Sequence, residues 1–458
     1  MNVRQKKHYD HELAQPETLR YIRSNNLNNS HDLLKQGIWL YFFLLIFEGA
    51  LRKWLLPSLA APLLIVRDPL ACWLLLTCWH RYLLPANKFL IGIVMIGLVG
   101  VLTAMIFGHG SLPVALFGAR IFLLQFPMIF VIGSIFTRKD VLKMGEVMLA
   151  LCLPMTILIG LQFFSPQYAW INRGIGGTVE ETGFQGALGH FRPPGTFSYV
   201  TGTYLFYGLA CCFLFYYWLS AHRINKLLFI SAVMGIIIAV PLSISRTLFF
   251  EVCITLAFSM IAALLQPRYL SKILVAVVFV LIILLILSRT GFFQHASETL
   301  FVRFSDASLS EGGLKGTLGD RFLGGLITAI TGSSQLPFFG YGLGMGTNVG
   351  SQLMQGERKF QLHEEEWARQ IDELGPFLGL MVTFLRVGFA LKIARGSLMK
   401  LRKGDILPWM LLSFGLLQIA QGNWSQPTSL GFCILIGGMM LASLKTTQAD
   451  RNLKDTLG

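Results

Sequence analysis

Long apolar runs repeat along most of the chain, and they constrain its fold more than any other feature. Each run is near the length of about 20 residues that a helix needs to cross about 30 Å of hydrocarbon. They lie at 37–56, 61–79, 89–107, 111–136, 141–164, 196–220, 226–244, 247–266, 271–288, 373–394, 406–422 and 425–444. The composition agrees, because 54% of the 458 residues are hydrophobic and only 14% are charged. We therefore predict an all-α, polytopic membrane helix bundle of about twelve transmembrane helices.

The distribution of lysine and arginine predicts which side of the membrane each connection faces. Short connections on the side of the N-terminus are the richer in basic residues, and this places both termini in the cytoplasm. The predicted organisation is a cytoplasmic N-terminal tail (1–36), nine spans (37–288), a large extracytoplasmic loop (289–372), three spans (373–444) and a cytoplasmic C-terminal tail (445–458). The polar N-terminal tail has no apolar core, so we expect no cleavable signal peptide.

Charge and cysteine usage exclude several classes of function. The net charge of +14 is explained by this topology and by attraction to anionic lipid, so we expect no nucleic-acid partner. All seven cysteines fall inside predicted spans, and we expect no disulfide. No cluster of Cys, His, Asp and Glu has metal-site spacing, so we expect neither a metal nor another cofactor.

Charged residues in the predicted spans gather toward the outer face, at Glu48, Arg52, Arg67, Asp68, Arg120 and Glu251. One interpretation is structural, with Glu48–Arg52 and Arg120–Glu251 as the expected helix-joining pairs. The other is that a polar cavity opens to the outside, because each uncompensated charge in a membrane costs several kcal/mol.

Two further arginines at the outer surface favour the cavity. Arg192 lies in GHFRPPGTFSYVTG, directly before the sixth span, and Arg246 lies in SISRTLFF, between the seventh and eighth spans. Neither has a carboxylate nearby in the sequence. A guanidinium group binds planar, bidentate anions well, so we predict that the two arginines bind a phosphate or pyrophosphate.

The large loop adds basic and glycine-rich segments. Arg303 and Arg321 lie on two stretches that read as short amphipathic helices. The following segment, QLPFFGYGLGMGTNVG, carries Gly342 and Gly344 among its glycines, which would let the backbone approach another group closely. A loop lying on the membrane surface would explain the same pattern.

The end of the large loop holds the densest acid–base set on the predicted outer face. In QLHEEEWARQIDELGPFLGL, a helix would place Glu366, Arg369 and Glu373 on one side, and His363 lies just before them. The alternative is a solvated helix start without a chemical role.

Four of these elements, in this order, resemble the O-antigen ligase and O-antigen polymerase superfamily of bacterial surface-polysaccharide enzymes. They are R-x-x-G-T-F at Arg192, S-R at Arg246, G-x-G-x-G from Gly340 after Arg321, and E-x-G-x-x-x-G from Glu373. The resemblance covers roughly 190–395. It implies an enzyme of the bacterial inner membrane that transfers a glycan from undecaprenyl pyrophosphate to an acceptor hydroxyl on the outer face, without metal or cofactor.

The resemblance also implies roles and partners. Arg192 and Arg246 would bind the pyrophosphate as it leaves, and the general base would be Glu366, ranked first, or His363, with Arg369 orienting the Glu366 carboxylate. The expected substrate-binding residues are Arg321, Arg303, Arg120, Gly342, Gly344 and Glu373. The partners would be the lipid-linked glycan, an acceptor glycan or glycolipid, the lipid bilayer and other polysaccharide-assembly proteins.

Two departures from the ligase pattern favour a polymerase over a ligase that acts on the lipid A core. Ligases typically carry an H-N pair nine residues before the glutamate that matches Glu373, and position 364 here is glutamate. The first motif often continues to an asparagine, where this chain has Thr201.

A twelve-helix secondary transporter is the competing class. Transporters place charges near the membrane midplane and usually show repeated halves. Here the charges lie toward one face and no repeat is visible, so we favour the enzyme.

Overall fold

The computed structural model describes residues 17–179, 185–220, 222, 224–310, 327, 331, 336–355, 362 and 365–445. The structure is 79% helical, with no strand in its described part, which confirms the all-α class. In chain order the helices are α1 (Glu17–Ala50), α2 (Ala60–Leu63), α3 (Arg67–His80), α4 (Lys88–Ile106), α5 (Leu112–Arg120), α6 (Met128–Ile135), α7 (Arg138–Phe164), α8 (Val200–Leu219), α9 (Lys226–Leu242), α10 (Arg246–Leu265), α11 (Leu270–Leu287), α12 (Gly291–Ser310), α13 (Asn348–Gln355), α14 (Glu366–Arg402), α15 (Leu407–Gln421) and α16 (Pro427–Leu444).

Ten helical segments of the described chain are long and apolar enough to cross a membrane, as in a multi-pass membrane protein. They coincide with ten of the twelve predicted spans. The other two predicted spans, 226–244 and 406–422, form the apolar helices α9 and α15, which are shorter, at 17 and 15 residues. All twelve apolar runs are therefore helical.

The helix that contains the predicted tenth span begins earlier than the apolar run. It starts at Glu366, and its backbone leaves the helical conformation at Gly375 before continuing to Arg402. The polar segment placed at the end of the large loop thus forms the first turns of α14.

Small residues let the central helices approach closely, as is usual in membrane bundles. Gly437 and Gly438 of α16 lie against Ile129 and Ile132 of α6, and a Cβ on Gly438 would come within 2.5 Å of the Ile132 Cβ. This contact holds α16 near the centre of the bundle, where most of its residues are buried.

One end of the bundle carries the connections that matter for the site, and we call it the loop-bearing end. It comprises the end of α1, the beginnings of α3, α8, α10, α14 and α16, and the connecting segments 165–179, 185–199, 336–347 and 422–426. The opposite end carries the Lys35–Asp140 and Arg138–Asp405 ion pairs.

Candidate functional site

Two groups of ionised side chains lie at the loop-bearing end. The first ion cluster is Glu48, Arg52, Arg67, Asp68 and Arg120, and the second ion cluster is Glu366, Arg369, Glu373 and Arg386. The segment 422–427 connects them: the Trp424 amide donates to Glu366, and the Pro427 carbonyl accepts from Arg67. Except for Glu251, the charged residues predicted to gather in the spans all belong to the first ion cluster, which this segment joins to the second.

In the first ion cluster, Glu48 lies between two arginines, at 3.5 Å from Arg52 and 3.2 Å from Arg67. The predicted Glu48–Arg52 pair is therefore confirmed. The predicted Arg120–Glu251 pair is wrong, because Arg120 pairs with Asp68 at 2.6 Å.

A π-helical turn explains why Arg120 reaches Asp68. Residues Ile121–Gln125 form this turn between α5 and α6, and Gln125 donates to the same carboxylate as Arg120. In a regular α-helix, residues five apart point in different directions, whereas the i→i+5 bonds of a π turn bring them onto one side. The wider turn thus directs both side chains at Asp68.

A second π turn has a similar effect at the end of α1. Residues Leu51–Leu55 form it, and the two neighbours Arg52 and Lys53 are both buried there. Two of the helical irregularities of the structure therefore lie at the first ion cluster. Such turns are frequent at functional sites.

Glu251, the partner predicted for Arg120, lies elsewhere in the bundle. Its Oε2 lies directly against Gly208 of α8 and has no hydrogen-bond partner in the described part of the chain. This carboxyl group belongs to neither ion cluster.

The second ion cluster is centred on Glu366, which is 3% exposed. Its carboxylate accepts from Arg369 at 3.0 and 3.2 Å, from Gln370 and Arg386 at 2.7 Å each, and from the Trp424 amide at 3.0 Å. A carboxylate has about four lone-pair positions, so these five bonds occupy all of them. In this arrangement Glu366 has no unoccupied lone pair for a substrate proton, which favours a structural role, and its role as general base stays a prediction.

Arg369 and Glu373 complete the second ion cluster. Arg369, 1% exposed, lies between the carboxylates of Glu366 and Glu373, and it is 2.7 Å from the latter. Glu373 also accepts from the Gly346 amide at 2.7 Å. The predicted shared face of these three residues is present, and it joins α14 to the glycine-rich segment.

The glycine-rich segment pairs with the beginning of α14 through its backbone. The amides of Tyr341 and Gly342 donate to the carbonyls of Asp372 and Glu373, at 2.8 and 3.0 Å. These two carbonyls lie next to the break in α14 at Gly375, and the glycine-rich segment supplies their hydrogen-bond donors.

The same glycines also contact α5 and the turn before it. Gly342 lies against His109, whose Nε2 is 3.1 Å from the Leu343 carbonyl, and Gly344 lies directly against the Val114 carbonyl. Gly344 has φ +98°, a conformation that glycine adopts without strain. The close approach predicted for these glycines is made to the chain's own helices.

Arg192 is half-buried, and the residues that follow it are fixed on α1 and α7. The Gly195 amide donates to Gln162 Oε1 at 2.8 Å, and the Gly195 carbonyl accepts from Lys53 Nζ at 2.7 Å. The Thr196 hydroxyl donates to the Ile46 carbonyl at 2.6 Å.

Arg246, also half-buried, is the first residue of α10. The Ser245 hydroxyl before it caps the helix by accepting from the Leu248 amide at 3.3 Å. Ile244 contacts Gly186, in the turn that leads into Arg192: a Cβ on that glycine would lie 2.8 Å from Ile244 Cδ1. The segments that carry the two predicted anion-binding arginines thus touch each other.

Three predicted residues remain, namely Arg303, Arg321 and His363. Arg303 is half-buried on α12, and its neighbour Phe304 packs against Phe249 of α10 at 5.4 Å between ring centroids. Arg321 and His363 lie outside the described residues.

Four residues at the site were not predicted: Lys53, Gln162, Arg386 and Trp424. Arg386 donates to Glu366 and to the carbonyls of Ile419 and Gly422, and its guanidinium lies 3.8 Å from the Trp424 ring centroid. The sequence signal for Arg386 was its position as a single arginine within an apolar run. The chain matches no known protein-family model, and no curated protein matches it significantly.

Proposed function

We propose that this protein transfers a glycan from a polyprenyl-pyrophosphate carrier to an acceptor sugar hydroxyl on the outer face of a bacterial cytoplasmic membrane. The acceptor we favour is the next lipid-linked unit of a growing polysaccharide. The proposal includes the predicted orientation, in which the loop-bearing end faces out of the cytoplasm.

The observation that carries the proposal is the contact between the Arg192 and Arg246 segments. Buried hydrogen bonds fix the residues just after Arg192 and the residue just before Arg246, and Gly186 and Ile244 join the two segments. Rigid backbones hold guanidinium groups in place before substrate binds, and preorganised cations stabilise charge that develops on a leaving group.

The reaction needs one bond to form and one to break. The acceptor oxygen attacks the anomeric carbon of the donor sugar, and the bond from that carbon to the pyrophosphate oxygen breaks. The electron pair stays on the pyrophosphate, whose growing negative charge Arg192 and Arg246 stabilise. The hydroxyl proton passes to a general base.

We assign the base to His363, since the other candidate has no lone pair to offer. Glu366 and Arg369 instead hold the beginning of α14 in place. This assignment gives Glu366 and Arg369 a structural role in place of the chemical roles predicted for them.

The test uses the full chain, purified and reconstituted in phospholipid nanodiscs, with a polyprenyl-pyrophosphate oligosaccharide as donor. Wild-type protein should lengthen the glycan and release polyprenyl pyrophosphate, and a chelator should not change the rate. Arg192→Ala should lose about 10²–10³-fold in kcat, as when one charge-stabilising donor is removed.

The matched control is Arg138→Ala, which removes an arginine of the opposite end that pairs with Asp405 at 2.7 Å. We expect transfer by this variant to stay near the wild-type rate. If the wild-type protein transfers no glycan but carries the intact lipid-linked sugar or another solute across liposome membranes, the enzyme proposal is wrong and the protein is a transporter.

A further inference from the structure

Lys53 is a buried lysine whose ammonium group has one close polar partner in the described part of the chain. Its side chain lies in the π turn Leu51–Leu55 and is 1% exposed. Nζ donates to the Gly195 carbonyl at 2.7 Å and lies 4.6 Å from the Trp54 ring centroid. Among the described residues, no carboxylate lies within ion-pairing distance of it.

This arrangement is costly for a residue that only fills space. An ammonium group has three donors, and its burial without a carboxylate costs several kcal/mol. A methionine would occupy a similar volume without that cost. The bond to Gly195 therefore points to a role other than packing.

Gly195 is the point where the backbone after Arg192 is fixed. Its φ of +60° is a conformation that favours glycine, and Gln162 binds both of its backbone groups, Oε1 at 2.8 Å from the amide and Nε2 at 3.3 Å from the carbonyl. Lys53 adds the shorter bond to the same carbonyl.

Little freedom remains between this point and the arginine. Only Pro193 and Pro194 separate Arg192 from Gly195, and proline fixes φ near −65°. The Pro193 carbonyl also accepts from the Thr203 hydroxyl at 3.1 Å. Movement of Gly195 is therefore transmitted directly to the Arg192 backbone.

We propose that Lys53 is a positioning residue for Arg192, which it holds in place for the leaving group through the Gly195 carbonyl. This inference rests on the proposed function. It adds that the π turn of α1 is part of the catalytic framework, although Lys53 itself does not touch substrate.

The first experiment compares Lys53→Met with Lys272→Met in the transfer assay. Lys272 Nζ also donates to a backbone carbonyl at 2.7 Å, that of Leu219, at the opposite end of the bundle. Lys53→Met should lower kcat about 100-fold, the loss associated with a displacement of about 1 Å, with little change in KM. Lys272→Met should keep the wild-type kcat.

A double-mutant cycle separates positioning from general destabilisation. If Lys53 acts through Arg192, then Lys53→Met should cause no further loss in an Arg192→Ala background. An equal further loss in that background, or a wild-type kcat for Lys53→Met alone, would overturn the inference. If Lys53→Met fails to fold, Lys53→Gln takes its place in the cycle. Because glutamine keeps an N–H donor, its kcat should lie between those of Lys53→Met and the wild type.

A second readout does not depend on transfer. In an Arg192→Cys protein, a membrane-impermeant maleimide should label position 192 several-fold faster when Lys53 is also replaced by glutamine, because the segment is then less fixed. The same double change with Lys272→Gln should leave the labelling rate unchanged. If the Arg192→Cys, Lys53→Gln protein is labelled faster but the wild-type chain transfers no glycan, the proposed function is wrong and the positioning role of Lys53 stands. If the labelling rate is unchanged, the positioning role is wrong.

Discussion

Replacement of Glu366 by glutamine distinguishes the structural role of this residue from a role as general base. The substitution keeps the size of the side chain and removes its charge. Glutamine keeps one acceptor oxygen where the carboxylate has two, so Arg369, Gln370, Arg386 and the Trp424 amide would share a single oxygen, and both arginines would lose the negative charge of Glu366. In addition, the new amide group places a donor among the donors that surround Glu366.

The expected loss follows from the burial of the pair. Glu366 and Arg386 are 3% and 1% exposed, and removal of one partner of a buried ion pair costs about 3–5 kcal/mol. The matched control is Asp405→Asn, which breaks a pair with Arg138 whose side chains are 33% and 22% exposed. A pair of that kind contributes about 0–1 kcal/mol.

The assay measures the monodisperse fraction of each variant in detergent after heating to a series of temperatures. Glu366→Gln should lose its monodisperse peak well below the wild-type temperature, and Asp405→Asn should stay close to the wild type. A Glu366→Gln protein with wild-type thermal stability but no transfer would refute this reasoning and restore Glu366 as the base.

Three further outcomes are expected from the sequence and the structure. Reporters fused near positions 180 and 315 should appear outside the cytoplasm, and those near 222 and 398 inside; a cytoplasmic signal at 315 would reverse the orientation. Gly344→Ala should lower thermal stability strongly because its Cβ would meet the Val114 carbonyl, whereas Gly291→Ala, with nothing within 4 Å, should not; equal stability would contradict the contact. Arg192→Lys should lose nearly as much transfer as Arg192→Ala, since lysine lacks the bidentate fork, and Glu373→Gln should lose less than either; a fully active Arg192→Lys would argue against bidentate binding.

The helices could be predicted from the sequence because a bilayer imposes one simple requirement. Each crossing needs a long apolar run with its backbone hydrogen bonds satisfied internally, and hydropathy detects such runs directly. For the same reason hydropathy does not mark the early beginning of α14, which the sequence suggested only through the spacing of Glu366, Arg369 and Glu373. Its first turns are polar and buried against other protein groups, so apolarity does not mark them.

The partners within the first ion cluster could be predicted only where helical periodicity holds. Glu48 and Arg52 are four residues apart on one helix, and their pairing was foreseen. Arg120 reaches Asp68 because a π turn follows it, and no residue pattern in IFLLQ predicts that turn. Pairing between distant helices depends on this local widening, which hydropathy does not detect.

The glycine-rich segment shows a second limit of the sequence. Its glycines correctly indicated close backbone approach, but the pattern does not say what is approached. In the structure the neighbours of Gly342 and Gly344 are His109 and the Val114 carbonyl. Likewise, the bond from Lys53 to the Gly195 carbonyl joins residues 142 positions apart, which no local spacing could indicate.

Transfer by a double Arg192→Ala, Arg246→Ala protein tests the central claim most directly. The measurement is the release of polyprenyl pyrophosphate from a lipid-linked oligosaccharide by nanodisc-reconstituted protein, with each variant's folded fraction checked by size exclusion. We predict that the double variant folds like the wild type and releases no pyrophosphate above background. Release at the wild-type rate would contradict the claim that the two arginines stabilise the departing pyrophosphate.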